Sequence, residues 1–404
     1  MPSLSNRTRA LGTENAFVVL KEVKALQAQG KDILNFCIGQ PDFPTPTNIC
    51  EAGCRAIREG KTGYTPSAGI PELREAIAKE VARTRNIAVS PDDVVVAAGA
   101  KPFIGYSVLS VTDPGRNHEV LYPNPGFPIY SSQIGVHGAV PVPMFLDEAR
   151  GFTLDLDRLE SQVTAGTRMI ILNSPQNPTG GILGQSDLEA IAAIAQRHDL
   201  WVYSDEPYSR IVFDGAFRSI ASIPGMAERT LLVDGLSKTY SMPGWRLGYA
   251  VNRALAPAMS NWVTNTESCA AHMVQWAALE AISGPQDDVK RMVDSFHARR
   301  DLIADGLNKL DGIRCHKPGG AFYVWPNVTE LCHRVGAADS DALRKMLLHD
   351  AGVAVLSDVH FGLPPQDGSQ HIRFSYAAST QDITRALERI ADFAAKRCAA
   401  ARRK

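Results

Sequence analysis

Charge of one sign is what this chain lacks first. Its 42 lysines and arginines balance 43 aspartates and glutamates, a formal charge of -1. That balance gives no electrostatic case for a nucleic-acid or membrane partner. No uninterrupted apolar run has membrane-spanning length. The opening residues, "MPSLSNRTRALGTENAF", have no apolar core of signal-peptide length, so a cytoplasmic location is expected. Seven cysteines are scattered with no CxxC pair. Cys50 and Cys54 could share a helix face, but no second ligand pair is nearby, and no metal is expected. Buried, reduced thiols are the reading. Familiar phosphate motifs are missing too. "EGKTGY" ends like a phosphate loop, but Arg55 stands where its first glycine is needed. "GLSKT" has Thr239 where a nucleophile elbow needs its second glycine. No GxGxxG follows the first strand, which argues against a dinucleotide fold.

What is present is ordinary globular material, 45% hydrophobic and 21% charged, enough to bury a sizeable core. Short β-rich apolar runs alternate with helical patterns. "DVVVAAG" (93–99), "EVLYP" (119–123), "RMIILNS" (168–174), "LWVYSDE" (200–206) and "RTLLVDG" (229–235) read as strands. "KPFIGYSVLSV" and "QSDLEAIAAIAQRHD" read as helices, the latter with Asp187 in its first turn. Strands buried on both faces and alternating with helices predict an α/β fold around a mostly parallel sheet. After about residue 285 a long charged helix leads to shorter elements, which predicts a smaller α+β domain. The expected division is an N-terminal arm (1–45) packing with the small domain, a large domain (46–285) and a small C-terminal domain (286–404).

Five polar signals sit at or just beyond strand ends: "AGAK" (98–101), "NSPQNPTGG" (173–181), "SDEPYSR" (204–210), "GLSK" (235–238) and "MPGWR" (242–246). Ligands bind outside the carboxyl ends of strands in open α/β sheets, so five such loops imply one large site. Each has a plainer reading alone. Asp205 could cap a helix or make a turn, "NPTGG" could be a turn, and Lys238 could be a surface residue. The conjunction is harder to assign to turns.

In this order, "NPTG", "SDE-x-Y", "SK" and an arginine eight residues after the lysine resemble the class I/II aminotransferases. These are pyridoxal-phosphate (PLP) enzymes of the aspartate aminotransferase superfamily, fold type I. The likeness runs from "IGQPDFPTP" (38–46) and "GYTPSAGIPELREAIA" (63–78) to "KPGGAFYVWPN" (317–327) and "HIRFSYA" (371–377). It implies that Lys238 holds the PLP aldehyde as a Schiff base (aldimine) and acts as base and then acid at the substrate Cα. Arg246, Ser237 and the helix opening at Gly99, Ala100 and Lys101 would take the phosphate. Asp205 would keep the ring nitrogen protonated. Tyr208 and Asn177 would donate to the ring hydroxyl. Phe127 would stack on the ring; core packing is its alternative. Arg373, otherwise a structural ion-pair residue, would grip the substrate α-carboxylate, helped by Asn177 and the Gly39 backbone. Tyr64 would reach the phosphate of a neighbouring subunit in a homodimer with shared sites.

The expected activity moves the α-amino group of an L-amino acid to a 2-oxo acid, with 2-oxoglutarate the expected acceptor, in two half-reactions. A β-lyase or another elimination or replacement reaction could use the same lysine. A non-catalytic PLP-binding sensor is the remote alternative, for which the chain has no room for a DNA-binding domain. Pro207 departs from the family's usual aliphatic residue and predicts a strand end, since proline has no N–H. Pro102 suits a first helical turn. No arginine for a distal carboxylate is identifiable, which puts strict dicarboxylate specificity in doubt. The donor stays open, as do the roles of Glu14, Glu267 and Ser268. Side-chain pockets in this family draw on the segment from Glu14 to Phe17, and the loop at 264–273 is read as able to reach the partner's site.

Overall fold

A computed structural model describes residues 2–401. The N-terminal segment carries α1 (Asn6–Ala10), α2 (Asn15–Ala28) and β1 (Leu34–Asn35). Next come α3 (Thr47–Arg58), α4 (Pro71–Arg85), β2 (Val94–Ala97), α5 (Pro102–Val111), β3 (Glu119–Asn124), α6 (Ile129–Val136), β4 (Val140–Asp147), β5 (Thr153–Leu154), α7 (Leu156–Gln162), β6 (Thr167–Asn173) and α8 (Gln185–Arg197). They lead to β7 (Trp201–Asp205), β8 (Thr230–Gly235), α9 (Leu236–Thr239), β9 (Gly248–Val251), α10 (Ala256–Thr266) and α11 (His272–Ser283). The remainder holds α12 (Asp287–Leu307), β10 (Tyr323–Val324), α13 (Thr329–Val335), α14 (Ser340–Met346), β11 (Val353–Ala354), β12 (Leu356–Ser357), β13 (Ile372–Ser375) and α15 (Thr380–Ala401).

The central sheet has eight strands in the order β2-β9-β8-β7-β6-β3-β4-β5. Pairings from β8 through β7, β6 and β3 to β4 are parallel, and β9 runs antiparallel to both its neighbours. All five strands read from the sequence are in it, so the α/β expectation holds. The reading had no β4, β5 or β9. β4 contains Pro141 and Pro143, which lack the N–H a strand pattern presumes, and only two-residue β5 flanks its outer side. β9 is only four residues long and follows directly on the Pro-Gly turn.

Strand alternation buries apolar side chains on both faces of the large sheet. Val95, Ala97, Tyr122, Ile171, Tyr203 and Val233 face one side with residues of α5, α6 and α10. Val94, Val96, Leu232, Tyr249 and Val251 face the other with residues of α4 and α11. Each buried Val, Leu or Ile contributes about 1.5–3 kcal/mol by leaving water. Because β2, β6, β7 and β8 share a direction, their carboxyl ends open on one edge.

A three-stranded antiparallel sheet, β10-β13-β12, lies in the C-terminal part, and β1 pairs with β11. The arm is therefore tied to the C-terminal part through β1 and through Val19, Val23 and Leu26 of α2, which pack with Trp325 and Leu348. It also reaches the large sheet's side, where Gly12 N–H donates to Ser132 Oγ at 2.9 Å. The cysteine expectation needs correction. All seven are free thiols, but only Cys37, Cys315 and Cys332 are buried. Cys54 is exposed because α3 turns Ile49, Ala52, Gly53 and Ala56 inward and leaves Cys54 on the outer face. No helix of the described residues is long and apolar enough to cross a membrane.

Candidate active site

A cavity of about 500 Å³ lies where the large sheet's carboxyl ends, the N-terminal arm and the small sheet meet. Lys238, Asp205, Tyr208, Asn177, Ser237, Arg246, Arg373, Phe127, Ala100, Lys101 and Gly39 all line it. Gly99 lies just beneath Arg246. Tyr64 does not line the cavity and is 89% exposed in the single chain.

Lys238 sits on the single turn α9, directly after β8. Its Nζ donates to the Gly39 carbonyl at 2.5 Å. Burial lowers its pKa to about 8; Glu14 opposes this, and Arg373, Arg246 and Lys101 push the same way as burial. An amine so placed is uncharged in a useful fraction of molecules near neutral pH, as a nucleophile or base must be.

Asp205 ends β7, and Pro207 follows where the strand stops, as its missing N–H predicts. Burial raises the Asp205 pKa to about 7. The Tyr130 hydroxyl works against that, Asp234 and Glu206 add to it, and Lys238 lowers it. Tyr130 donates to Asp205 Oδ2, and the Asn173 side chain donates to the Asp205 carbonyl at 3.0 Å. Asn173 Oδ1 in turn accepts the Asn177 N–H at 2.9 Å. Tyr208 is buried, with its hydroxyl 2.8 Å from that of Tyr323.

An anion fits between β2 and α5. Among the described residues no acceptor takes the N–H of Ala100 or Lys101, because α5 begins at Pro102 just after them. Among the described residues Arg246 donates only to the carbonyls of Pro243 and Ala98. Gly99 has φ +101°, and a Cβ there would come within 2.3 Å of Arg246 Nη2. A Cβ on Gly248 would lie 2.3 Å from the Ala100 nitrogen. Glycine at both positions thus lets a guanidinium and two free N–H groups converge, a donor set suited to a phosphate. Glu267 stabilises this turn from below: its Oε2 accepts the Ala98 N–H at 2.8 Å, and its Oε1 accepts from Tyr106 at 3.0 Å. The 264–273 loop therefore serves its own chain's turn at this point. Ser268, at φ +63°, follows in the left-handed region.

Arg373 lies on the central strand of the small sheet and is 4% exposed. It donates to Asn177 Oδ1 at 2.9 Å and to the Cys37 carbonyl at 2.5 Å. Its Cζ is 4.5 Å from the Tyr323 ring and 4.7 Å from the Phe361 ring. Among the described residues no acidic side chain bonds it, so the ion-pair alternative is not what the geometry contains.

Residues 31–390 match the family model for aminotransferase class I and II. The chain belongs to this aminotransferase family. It is 38% identical to an asparagine–oxo-acid transaminase of Streptococcus mutans over 98% of this chain and all of that protein. It is 35% identical to an aspartate aminotransferase of Bacillus sp. over 96% of this chain and 98% of that one. The crystal structure of the Rhizobium meliloti aspartate aminotransferase superposes with a TM-score of 0.91 at 35% identity, covering 98% and 99% of the two chains. That of Thermus thermophilus, with maleate, superposes at 0.91 and 34% identity, covering 97% and 100%. The fold is therefore fold type I, and the protein is a transferase of nitrogenous groups from a PLP-dependent family.

Several residues around this aminotransferase cavity were not singled out from the sequence. Tyr130 lies three residues after Phe127 and Tyr323 sits inside the quoted "KPGGAFYVWPN", but they contact Asp205 and Tyr208 only through folding. His360 also lines the cavity, and burial, then Arg344, hold its pKa down to about 4. Glu14, whose role the sequence left open, lines it as well, and its carboxylate pairs with Lys101 Nζ, which lies over the Phe127 ring. The Lys101 side chain is thus engaged by the arm, while its backbone N–H stays free.

Proposed function

We propose that the protein transfers the α-amino group of an L-amino acid to a 2-oxo acid, 2-oxoglutarate foremost, with pyridoxal phosphate bound in this cavity. When bound, the cofactor supplies an electron sink for the pair released at Cα. In this reading Lys238 holds the cofactor through its amine and, once free, carries a proton from the substrate Cα. Asp205 faces the ring nitrogen as a carboxylate. Tyr208 and Asn177 orient the ring hydroxyl, and Phe127 covers the ring. Ser237, Arg246 and the N–H groups of Ala100 and Lys101 hold the phosphate beside Gly99. Arg373 takes the substrate α-carboxylate, with Asn177 and the Gly39 backbone beside it. Tyr64, exposed in one chain, completes the phosphate site of a second copy in a cytoplasmic homodimer.

The observation that carries this reading is the lysine itself: an amine lowered to about 8 in a cavity that also presents Asp205, Arg246 and Arg373. Borohydride reduction and peptide mapping should place the cofactor on Lys238. Assays with a panel of amino donors should show amino transfer to 2-oxoglutarate. Release of ammonia and pyruvate in its place would support the β-lyase alternative.

One feature bears on the donor. Glu14 and Lys101 present a paired acceptor and donor at the arm side of the cavity. A side-chain amide can use both, whereas a carboxylate must displace Glu14 from Lys101. We therefore place amide side chains ahead of acidic ones. The names of the asparagine and aspartate enzymes among its relatives agree with a short polar donor.

A further inference from the structure

We propose that Arg85 is a positioning residue: from the far face of the large sheet it offsets part of the negative charge of Glu206 and Asp234, so that Asp205 ionises more readily at the cavity wall. This rests on the cofactor reading above, in which Asp205 serves the ring nitrogen.

Strand alternation sets up the problem. Asp205 pairs in register with Val233 and faces the cavity side. Its neighbours Ser204 and Glu206, and Asp234 on β8, turn to the other side. Two further carboxylates therefore stand behind Asp205, Glu206 just past the end of β7 and Asp234 on β8. Both are buried, Glu206 at 1% exposure and Asp234 at 6%. Each opposes ionisation of Asp205.

Arg85, the last residue of α4, is 4% exposed. Its Nε donates to Glu206 Oε2 at 2.9 Å, and its Nη2 donates to Asp234 Oδ2 at 2.9 Å. Nη2 also reaches Ser209 Oγ at 2.8 Å. Ser204 and Ser219 donate to Glu206 Oε1, and the Gly235 N–H to Asp234 Oδ1. The cluster is fully hydrogen-bonded, which a charged buried group requires. A guanidinium stays charged throughout the accessible pH range, so its partial offset of the two carboxylates does not titrate away. The other groups facing Asp205 cannot do this. Tyr130, Tyr203 and Tyr208 are neutral phenols pushed up by burial, and Lys238 loses charge near pH 8. The purely structural alternative is an arginine that anchors the end of α4 and nothing more.

The test uses Arg85→Met, Asp234→Asn, their double variant and Arg85→Lys. The Asp205 carboxyl is titrated by ¹³C NMR in the full-length cofactor-free protein, assigned against Asp205→Asn. Because three carboxyls are coupled, the macroscopic steps are compared. Arg85→Met should raise the Asp205 midpoint by about one pH unit or more, a tenfold change in the ratio of protonated to ionised carboxyl. Asp234→Asn should lower it. The double variant, which restores the cluster's charge, should return it towards the original value, and Arg85→Lys should stay close to it. In the holoenzyme, preference for pyridoxal phosphate over its 1-deaza analogue should fall about tenfold in Arg85→Met and recover in the double variant.

An unmoved midpoint in Arg85→Met, or a double variant no better than the single, overturns the proposal. If Arg85→Met does not fold, Asp234→Asn decides: an unmoved midpoint there is equally fatal. Equal affinity of the unsubstituted protein for the two cofactor forms would instead overturn the ring-nitrogen role of Asp205, while the midpoints still judge Arg85.

Discussion

Arg246 and Arg373 line the same cavity but are held in different ways. Arg246 is exposed, sits on a turn at φ +54°, and spends its guanidinium on two neighbouring carbonyls. Arg373 is buried on a strand, lies between two aromatic rings, and leaves a buried Nε–H with no partner. The exposed arginine has water as its alternative partner, so an anion there is gained mainly through convergence with free backbone N–H groups. The buried arginine has no such alternative. A carboxylate that satisfies it relieves a desolvated charge, which makes the contact strong and its loss expensive. We read the first as the grip on a resident group and the second as the selector for an exchanging substrate.

The comparison breaks most completely if neither site matters without the amine between them. Lys238→Ala should abolish amino transfer and borohydride labelling. Lys238 also has a pH signature. Its folded pKa is lowered from 10.5 to about 8, so the unfolded chain binds more protons between those values. Stability of the cofactor-free protein should therefore rise as pH rises through that window. The gain should be about 1–3 kcal/mol after allowance for water in the cavity, and Lys238→Met should lack it in denaturant titrations.

Next is Arg373→Ala, which should lower kcat/KM for the best amino acid by roughly 30- to 5000-fold, from about 2–5 kcal/mol for one partner of a desolvated pair. Pyridoxal phosphate should still bind. Near-normal turnover would remove the selector role.

Arg246→Ala should show the reverse pattern. Cofactor affinity should weaken about 10- to 150-fold, corresponding to about 1.5–3 kcal/mol for bonds to a charged group. Turnover at saturating cofactor should change much less. If kcat/KM for the amino acid falls while cofactor affinity holds, the two arginines have been assigned the wrong way round.

Tyr64→Phe should weaken cofactor binding about tenfold by removing one bond to phosphate. Hybrid dimers with Lys238→Ala then sharpen the picture: one site should regain full affinity if Tyr64 acts across the two-fold axis. Affinity in hybrids equal to that of Tyr64→Phe alone would place it within its own chain.

Glu14→Gln carries the smallest expected effect. It frees Lys101 and should shift the aspartate-to-asparagine preference towards aspartate by up to about tenfold, since a rim charge is partly screened. An unchanged ratio in competition assays removes the pair from donor selection.

Much of the site was legible because its chemistry is local. "GLSK" places a lysine immediately after a strand, and β8 into α9 is what the chain forms. "SDEPY" stops a strand by the missing N–H of Pro207, and β7 ends at Asp205. The free N–H groups of Ala100 and Lys101 follow from Pro102 at a helix start. By contrast, β9 and β4 were not legible, since β9 has only four residues and inserts between β8 and the distant β2, and β4 carries two prolines. The cysteines were misjudged in part because residue type is a weaker guide to burial than helix phase, and Cys54 lies off the inward stripe of α3.

The sequence by itself determined the order of strands and helices, the loops at the sheet edge and the residue types they present, because those depend on periodicity, turn chemistry and proline and glycine geometry within a few residues. Only the tertiary structure decided which groups share an environment: Glu14 on Lys101, Tyr130 on Asp205, Tyr323 beside Arg373, and Arg85 between Glu206 and Asp234. Those contacts join residues separated by tens to hundreds of positions. Their charge states follow from burial and mutual distance, and neither exists until the chain has folded.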